Sequence, residues 1–411
     1  MRDVETDITL AIRGADVILA DEIVPADVLI VDGRIAEIGD IPGTHTELDG
    51  RGQILAPALV DVHGDAFERQ LMPRPGVFFP VDTAVLETDR QLAANGIATA
   101  FHAITLSWEP GLRAVSRGAE LVQALTDMAP RLTVENRVQL RWETFAFEAI
   151  ELIENALKGP LLPSIAFNDH TSMMMRSFDV AVQDRAFEQS PDFTVADLAD
   201  KRMRGRVAGS ARRADLEIDP YIAKLGQVWA RRERVDAAIQ RVASAGRAAG
   251  AAMFSHDDTQ PETRAYYRAL GAHIAEFPMV LEVAKAARAA GEPIIFGAPN
   301  AVRGGSHIGS LGAADMVEEG LCDALASDYY YPAMLAAVAR LDAEMRASRP
   351  ALWSLVSTGP ARASGLMDRG EVSVGQRADL VLVDWPNGQT PAVRTTLSAG
   401  RIAYQSHAAS S

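Results

Sequence analysis

The chain carries a single cysteine, Cys322, in 411 residues. One thiol excludes an internal disulfide and any metal site built from several cysteines. A reducing cytoplasm is the expected compartment. Cys322 lies in the apolar run GLCDALAS, where buried packing is the ordinary role of a free cysteine. Long apolar runs are also missing. None approaches the roughly 20 residues that span a bilayer, so no membrane segment is expected. The start, MRDVETDITL, lacks a basic region followed by an apolar core, so no secretory signal is visible. Positive charge is in deficit, with 40 Lys and Arg against 55 Asp and Glu and a net charge of −15. That balance argues against general nucleic-acid binding. It leaves small anionic ligands open, because they respond to local charge and bound cations.

What is present is an ordinary globular composition, 48% hydrophobic and 23% charged, without internal repeats or low-complexity stretches. Short alternating runs with turn signals fill residues 8–55, and Asp32-Gly33 marks a hairpin. Similar short strands close the chain, in GEVSVGQRADLVLVDW and PAVRTTLSAGRIAYQ. Neither end buries a good core alone, so residues 1–58 and 360–405 are expected to form one composite β-sandwich. Between them, eight apolar β-rich runs alternate with helical, Ala-rich segments: ALVDVH, GIATAFHAIT, VQLRWETF, LPSIAFND, AAMFSHDD, AHIAEFP, PIIFGAPN and DALASDYYY. This alternation predicts an α/β fold with a (β/α)8 TIM-like barrel over residues 59–359. Residues 171–250 exceed a plain connection and read as a helical insertion near the mouth, with one helix from about Tyr221 to Ala249. The final SHAASS reads as a disordered tail.

Several barrel runs end in His, Asp or Glu, where barrel active sites form. His63 and Asp65 close the first run, two residues apart, so in a strand both side chains face one space. Glu143 ends the third run, His170 follows AFND, His256 lies in MFSHDD, and Asp328 ends LASDYYY. A lone strand-end histidine is usually structural, but six ligand-type residues at strand ends of one barrel point to a divalent metal centre. Other roles stay open: Glu143 pairing with Arg141, or His170 capping the segment after it. His102 and His273 read as packing or supporting groups, and His45 and His407 as inert. Gly304-Gly305-Ser306, flanked by Arg303 and His307, could present N–H groups to phosphate oxygens; an ordinary loop is the plainer reading. Arg74, between two prolines, is a second candidate anion clamp.

The strand-end series, the terminal strands and the closing G-x-x-x-x-G-x-x-A-D-L-V-L-x-D (Gly370 to Asp384) resemble the amidohydrolase superfamily. Within it, H-x-D with P-R-P (His63, Asp65, Pro73 to Pro75), S-H-D-D (Ser255 to Asp258) and G-A-P-N-x-V-R-G-G-S-H (Gly297 to His307) resemble the PhnM-like branch. I-A-E-F-P (Ile274 to Pro278) and S-D-Y-Y (Ser327 to Tyr330) fit it as well. The resemblance covers nearly the whole chain. It implies two divalent metal ions, zinc first, with manganese, iron or nickel compatible. His63 and Asp65 would bind the more buried ion, and Glu143 would bridge in place of the carboxylated lysine of many relatives. No lysine stands at these strand ends. His170 and His256 would bind the second ion. Asp328 would contact the nucleophilic water as metal-site residue and general base, then act as acid toward the leaving group.

The same resemblance implies a diphosphatase of phosphonate catabolism. It would cleave a ribose 5-triphosphate alkylphosphonate to the 5-phosphate and diphosphate, with Arg74, Arg303, Gly304, Gly305, Ser306 and His307 at the substrate. Ala66 to Gln70, Gly76 to Phe79 and Trp108-Glu109-Pro110 depart from the branch's pattern and leave room for another phosphorylated substrate. The rivals are a C–N hydrolase, such as a deaminase or cyclic amidohydrolase acting on a small heterocycle, and a non-catalytic metal-binding or scaffold protein. The expected partner is a small phosphorylated substrate, with no nucleic acid and no membrane; a homo-oligomer is compatible.

Overall fold

The computed structural model describes residues 9–304 and 311–406. The alternating runs at the start become β1 (Thr9–Ile18), β2 (Ile23–Val31), β3 (Arg34–Gly39), β4 (Thr46–Asp49) and β5 (Ile54–Pro57). Asp32 and Gly33 join β2 to β3 at φ of 48° and 75°, the positive values that a two-residue hairpin turn demands. The eight apolar runs each contain one barrel strand. These are β6 (Leu59–Gly64), β7 (Ile97–Leu106), β8 (Glu135–Glu143), β9 (Ser164–Asn168), β10 (Met253–His256), β11 (Ile274–Glu276), β12 (Ile294–Gly297) and β13 (Ala324–Ala326). The last strands are β14 (Leu380–Asp384), β15 (Ala392–Ser398) and β16 (Arg401–Gln405).

Strands β6 to β13 pair in sequence order, each parallel to the next. Nearly every residue in them is buried, as expected where helices cover one face and the barrel interior fills the other. The ring closes between the last strand and the first. Asp328 N–H donates to the His63 carbonyl and Asp65 N–H to the Asp328 carbonyl, both at 2.9 Å. Asp61, fully buried, accepts from Ser327 N at 3.0 Å and Ser327 Oγ at 2.5 Å. The closure therefore fixes the segments that carry His63, Asp65 and Asp328 against one another.

The chain's two ends share a second sheet in the order β16-β15-β14-β5-β1-β2-β3, with β4 on β1. β14 pairs antiparallel with β5, which leads directly into β6. Alternation divides its faces. Leu55, Leu380 and Leu382 enter a core with Ile12 and Val28, whereas Ala56, Val381 and Val383 pack with barrel residues such as Leu59 and Ile97.

The insertion between β9 and β10 holds helices His170–Met175, Lys201–Arg213, Ile218–Trp229 and Val235–Ala249. The single helix expected from Tyr221 to Ala249 is two, broken by a tight turn at Arg232–Arg234. Arg231 holds the break against the barrel, donating to the Phe145 carbonyl at 2.9 Å and to Glu148 at 2.5 Å. Tyr221 and Arg213 both bind Glu109 in the loop after β7, which seats the insertion beside the mouth. No helix of the described residues is long and apolar enough to cross a membrane.

Candidate functional site

The carboxyl ends of β6, β8, β10, β11 and β13, with the start of the segment after β9, converge on one cavity of about 370 Å³. Three groups of ligand-type atoms lie there, each within 4.8 Å internally: His63, Asp65 and Asp328; His170, His256 and Asp257; and His63, His256 and Glu276. His256 and His63 are shared, so the groups are continuous. A larger cleft, about 590 Å³, lies beside the amino ends of β12 and β13, next to Cys322 and Trp353. It holds none of these residues, and the chemistry belongs to the smaller cavity.

Each position follows from local structure. Glu143 is the last residue of β8 and accepts from His170 Nδ1 at 2.5 Å and from His170 N–H at 3.1 Å. Asp169, not His170, caps the helix His170–Met175 by accepting from Ser172 N at 2.7 Å, which frees the imidazole. Arg141, two residues before Glu143 on the same strand face, turns to other partners. Its guanidinium lies 3.4 Å from Asp65 and donates to His256 Nε2 at 3.2 Å. Glu276, at the end of β11, lies 2.7 Å from His256 Nδ1 and 3.0 Å from His63 Nδ1. Asp257 stands 3.5 Å from His256 Nε2 and 3.6 Å from His170 Nε2.

In the sequence Asp257 stands out only within S-H-D-D, and Glu276 and Phe277 only within I-A-E-F-P, with no role for any of the three. Backbone geometry marks two of them. Asp257, Phe277 and Asp328 take positive φ of 58°, 54° and 54°. Asp tolerates that region, but a bulky aromatic enters it at a cost and stays only where its surroundings hold it. Phe277 is held edge-on against His63 and His256, with ring centroids at 5.0 and 5.2 Å. Such strain clusters at functional sites, and it is invisible in sequence.

The electrostatics separate the carboxylates. Burial pushes Asp328 up, and the like charge of Asp65 adds to it; His63 and Arg141 pull back, and the balance is about 7. Burial works the same way on Glu143, but His170 and Arg141 overcome it and hold the carboxyl at about 2. His170 resists charge by burial, yet Glu143 and Asp257 raise it to about 9. Glu276 and Asp257, though buried, are held well below the usual carboxylate range by the neighbouring imidazoles.

The donor set fits a hard or borderline divalent cation: imidazole nitrogens and carboxylate oxygens, without thiolate. His63 is fully buried, and neither of its ring nitrogens finds a hydrogen-bond partner among the described residues. A buried imidazole nitrogen left unpaired is costly unless something occupies it.

The anion-binding expectations divide. Arg303 lines the cavity, at the end of the helix Ala298–Arg303, and Gly304 ends that helix at φ of 76°. Gly305, Ser306 and His307 lie outside the described residues, as does His407. Arg74 is exposed, bridges to Val77 and is not part of the cavity wall. Arg113 and Arg141 line the cavity instead. Arg113 is fixed by a two-pronged bond to Glu68 at 2.8 and 2.9 Å. His102 is buried against Asn136 at 2.6 Å, His273 is exposed, and His45 meets only the Pro42 carbonyl in an exposed loop.

A scan against protein-family models finds no match. Over 379 residues the chain is 30% identical to the alpha-D-ribose 1-methylphosphonate 5-triphosphate diphosphatase of Escherichia coli, covering 91% of this chain and 94% of that enzyme. The chain belongs to that enzyme's family, within the amidohydrolase superfamily. Among solved structures, it is similar to an amidohydrolase from a Sargasso Sea environmental sample, with a TM-score of 0.64 and 16% identity over 97% of this chain and 93% of that one. It is also similar to the dihydropyrimidinase of Brevibacillus agri, with a TM-score of 0.55 and 15% identity over 97% and 95%. At those identities the likeness is one of fold: the amidohydrolase barrel with its accompanying sheet. The family makes this chain a hydrolase.

Proposed function

We propose that this amidohydrolase-superfamily member hydrolyses a phosphoanhydride bond, releasing diphosphate from a ribose 5-triphosphate alkylphosphonate and leaving the 5-phosphate. The observation that carries the proposal is the meeting of two features in one cavity. A cluster suited to divalent ions faces three guanidinium groups, Arg113, Arg141 and Arg303. Arg113 and Arg141 already meet Glu68 and Asp65, yet they share the cavity wall with Arg303, an excess of donors that a triphosphate would engage and an uncharged heterocycle would not.

His63 and Asp65, with His170 and His256, are the residues proposed to hold divalent metal, zinc by default for this donor set. Asp257 stands beside the second pair and shares that role. Such ions, when bound, supply Lewis-acid polarisation of the phosphoryl oxygens and activate water near neutral pH. Glu143, expected as a bridging ligand, is in none of the ligand groups among the described residues and instead holds His170 in place through Nδ1. Asp328, poised near 7, takes the proton of the attacking water and returns it to the departing diphosphate. Arg303 and Arg141, on the cavity wall, would stabilise the negative charge that grows on the equatorial and leaving oxygens. Water adds to the α-phosphorus, and the bond from that phosphorus to the bridging oxygen breaks.

Turnover of the ribose 1-methylphosphonate 5-triphosphate by zinc- or manganese-reconstituted protein tests this, followed by phosphorus NMR against cyclic amides and nucleobases. Diphosphate formed in step with the 5-phosphate is the expected product pair. Hydrolysis of a cyclic amide or an exocyclic amine with no diphosphate release would replace the proposal with the C–N hydrolase reading.

A further inference from the structure

Glu276 lies beneath the candidate metal centre, on β11, and is 1% exposed. Its two oxygens divide between neighbours. Oε2 meets His256 Nδ1 at 2.7 Å. Oε1 accepts from Gln139 Nε2 at 2.8 Å and stands 3.0 Å from His63 Nδ1, a contact at bonding distance but off-axis. One buried carboxylate therefore faces the same ring nitrogen of two histidines from different strands. The two imidazoles lie nearly parallel, with centroids 5.4 Å apart and planes 20° from one another.

The proton positions follow from donor chemistry. A guanidinium only donates, so the 3.2 Å contact from Arg141 requires His256 Nε2 to accept. The single proton of a neutral His256 is then on Nδ1, where Glu276 receives it. For His63, Nδ1 stands 3.0 Å from the carboxylate and neither ring nitrogen has a hydrogen-bond partner among the described residues, so a proton on Nδ1 would face the carboxylate and leave Nε2 free. The same assignment serves both rings.

From this juxtaposition we infer that Glu276 is a positioning residue that sets both His63 and His256 as Nδ1–H tautomers, so that each offers Nε2 to metal. At His256 that lone pair faces Arg141, and a bound cation would take the guanidinium's place. The alternative, direct ligation by Glu276, meets a local objection. Gln139 already aims an amide N–H at Oε1, and His256 occupies Oε2, so a cation among these atoms would face donors instead of lone pairs. Carboxylates that receive the second ring N–H of a metal-binding histidine fix its orientation and raise its basicity. Here one carboxylate serves two rings at once, and it ties the first, fifth and sixth barrel strands together at the site. The inference rests on the proposed metal centre but not on the proposed substrate.

Two measurements test it on the full chain, neither requiring turnover. Nitrogen-15 NMR of the histidine rings in zinc-loaded protein should show His63 and His256 protonated at Nδ1 and metal-bound at Nε2. Either ring with metal at Nδ1, or a proton at Nε2, overturns the assignment. Zinc affinity of E276Q, measured by competition with a chromophoric chelator, should fall about 10- to 100-fold, since a glutamine amide accepts less well and can present N–H to a ring. Unchanged affinity, or complete loss of zinc from a variant with native circular dichroism, would each overturn it, the second by making Glu276 a ligand. If E276Q does not fold, the wild-type ring spectra decide alone. If no zinc binds at all, it is the metal centre that fails. If zinc binds with the expected tautomers but no triphosphate is cleaved, only the substrate reading fails.

Discussion

At the scale of single residues, the site depends on how burial is divided among like groups. Asp328 is the cavity carboxyl that burial and Asp65 bring to about 7, a value suited to moving a proton in either direction. A bound cation would pull it lower. D328N removes the base while keeping size and shape, so kcat should fall by about 10²- to 10⁴-fold, the usual contribution of general acid-base catalysis. Zinc content by elemental analysis should stay close to wild type. A near-normal rate would displace Asp328 from the role. Residues such as His63, Asp65, His256 and Asp328 were legible because each ends an apolar run, where an ionisable group has no packing purpose. Glu276 was less so. It sits in a three-residue strand between Ala275 and Phe277, and its role arises from two histidines far away in sequence. The left-handed conformation of Phe277 leaves no trace in composition or spacing. Arg141 stood out only as a neighbour for Glu143, because strand alternation says which face it shares but not which of several acceptors it meets.

At the scale of elements, ion pairs fasten the barrel to the sheet made by the chain's ends. Glu135 begins β8 and receives Arg369 at 2.6 Å, as well as Arg377 from the segment before β14. Burial alone would raise its carboxyl, but Arg369, Arg137 and Arg377 outweigh it and hold it at about 2. A depressed carboxyl adds stability above its unfolded value and loses it as pH falls through the folded one. The window is therefore from about 4.5 down to about 2, and the contribution is on the order of 3 kcal/mol. Urea denaturation should find E135Q less stable than wild type by up to that amount at pH 6, with the gap closing toward pH 2. An equal gap at both pH values would show that the pairs contribute no such linkage. All eight barrel strands were visible as buried runs at regular spacing, and the hairpin at Asp32-Gly33 as a turn signal. The break at Arg232–Arg234 was not, because the flanking Ala- and Arg-rich stretches both favour helix. What divides them is a tertiary contact, Arg231 on the Phe145 carbonyl.

At the scale of the whole molecule, a net charge of −15 and a cavity with three arginines describe one protein without conflict. Surface acidity is screened within about 10 Å at ordinary salt, whereas groups inside a cleft act on what enters it. The barrel closure joins β13 to β6, and β5 runs from the terminal sheet straight into β6, so sheet and centre share one rigid origin. The central claim is that side chains from six barrel segments meet at the mouth in one centre, where His63, Asp65, His170, His256 and Asp257 hold divalent metal. Anomalous diffraction at the zinc edge, from crystals grown with zinc in excess, tests it most directly. Strong peaks should stand against His63 Nε2 and Asp65 or between His170 and His256, inside the cavity that Arg303 faces. A zinc-saturated crystal with no peak there, or with peaks only at surface residues, would contradict the account.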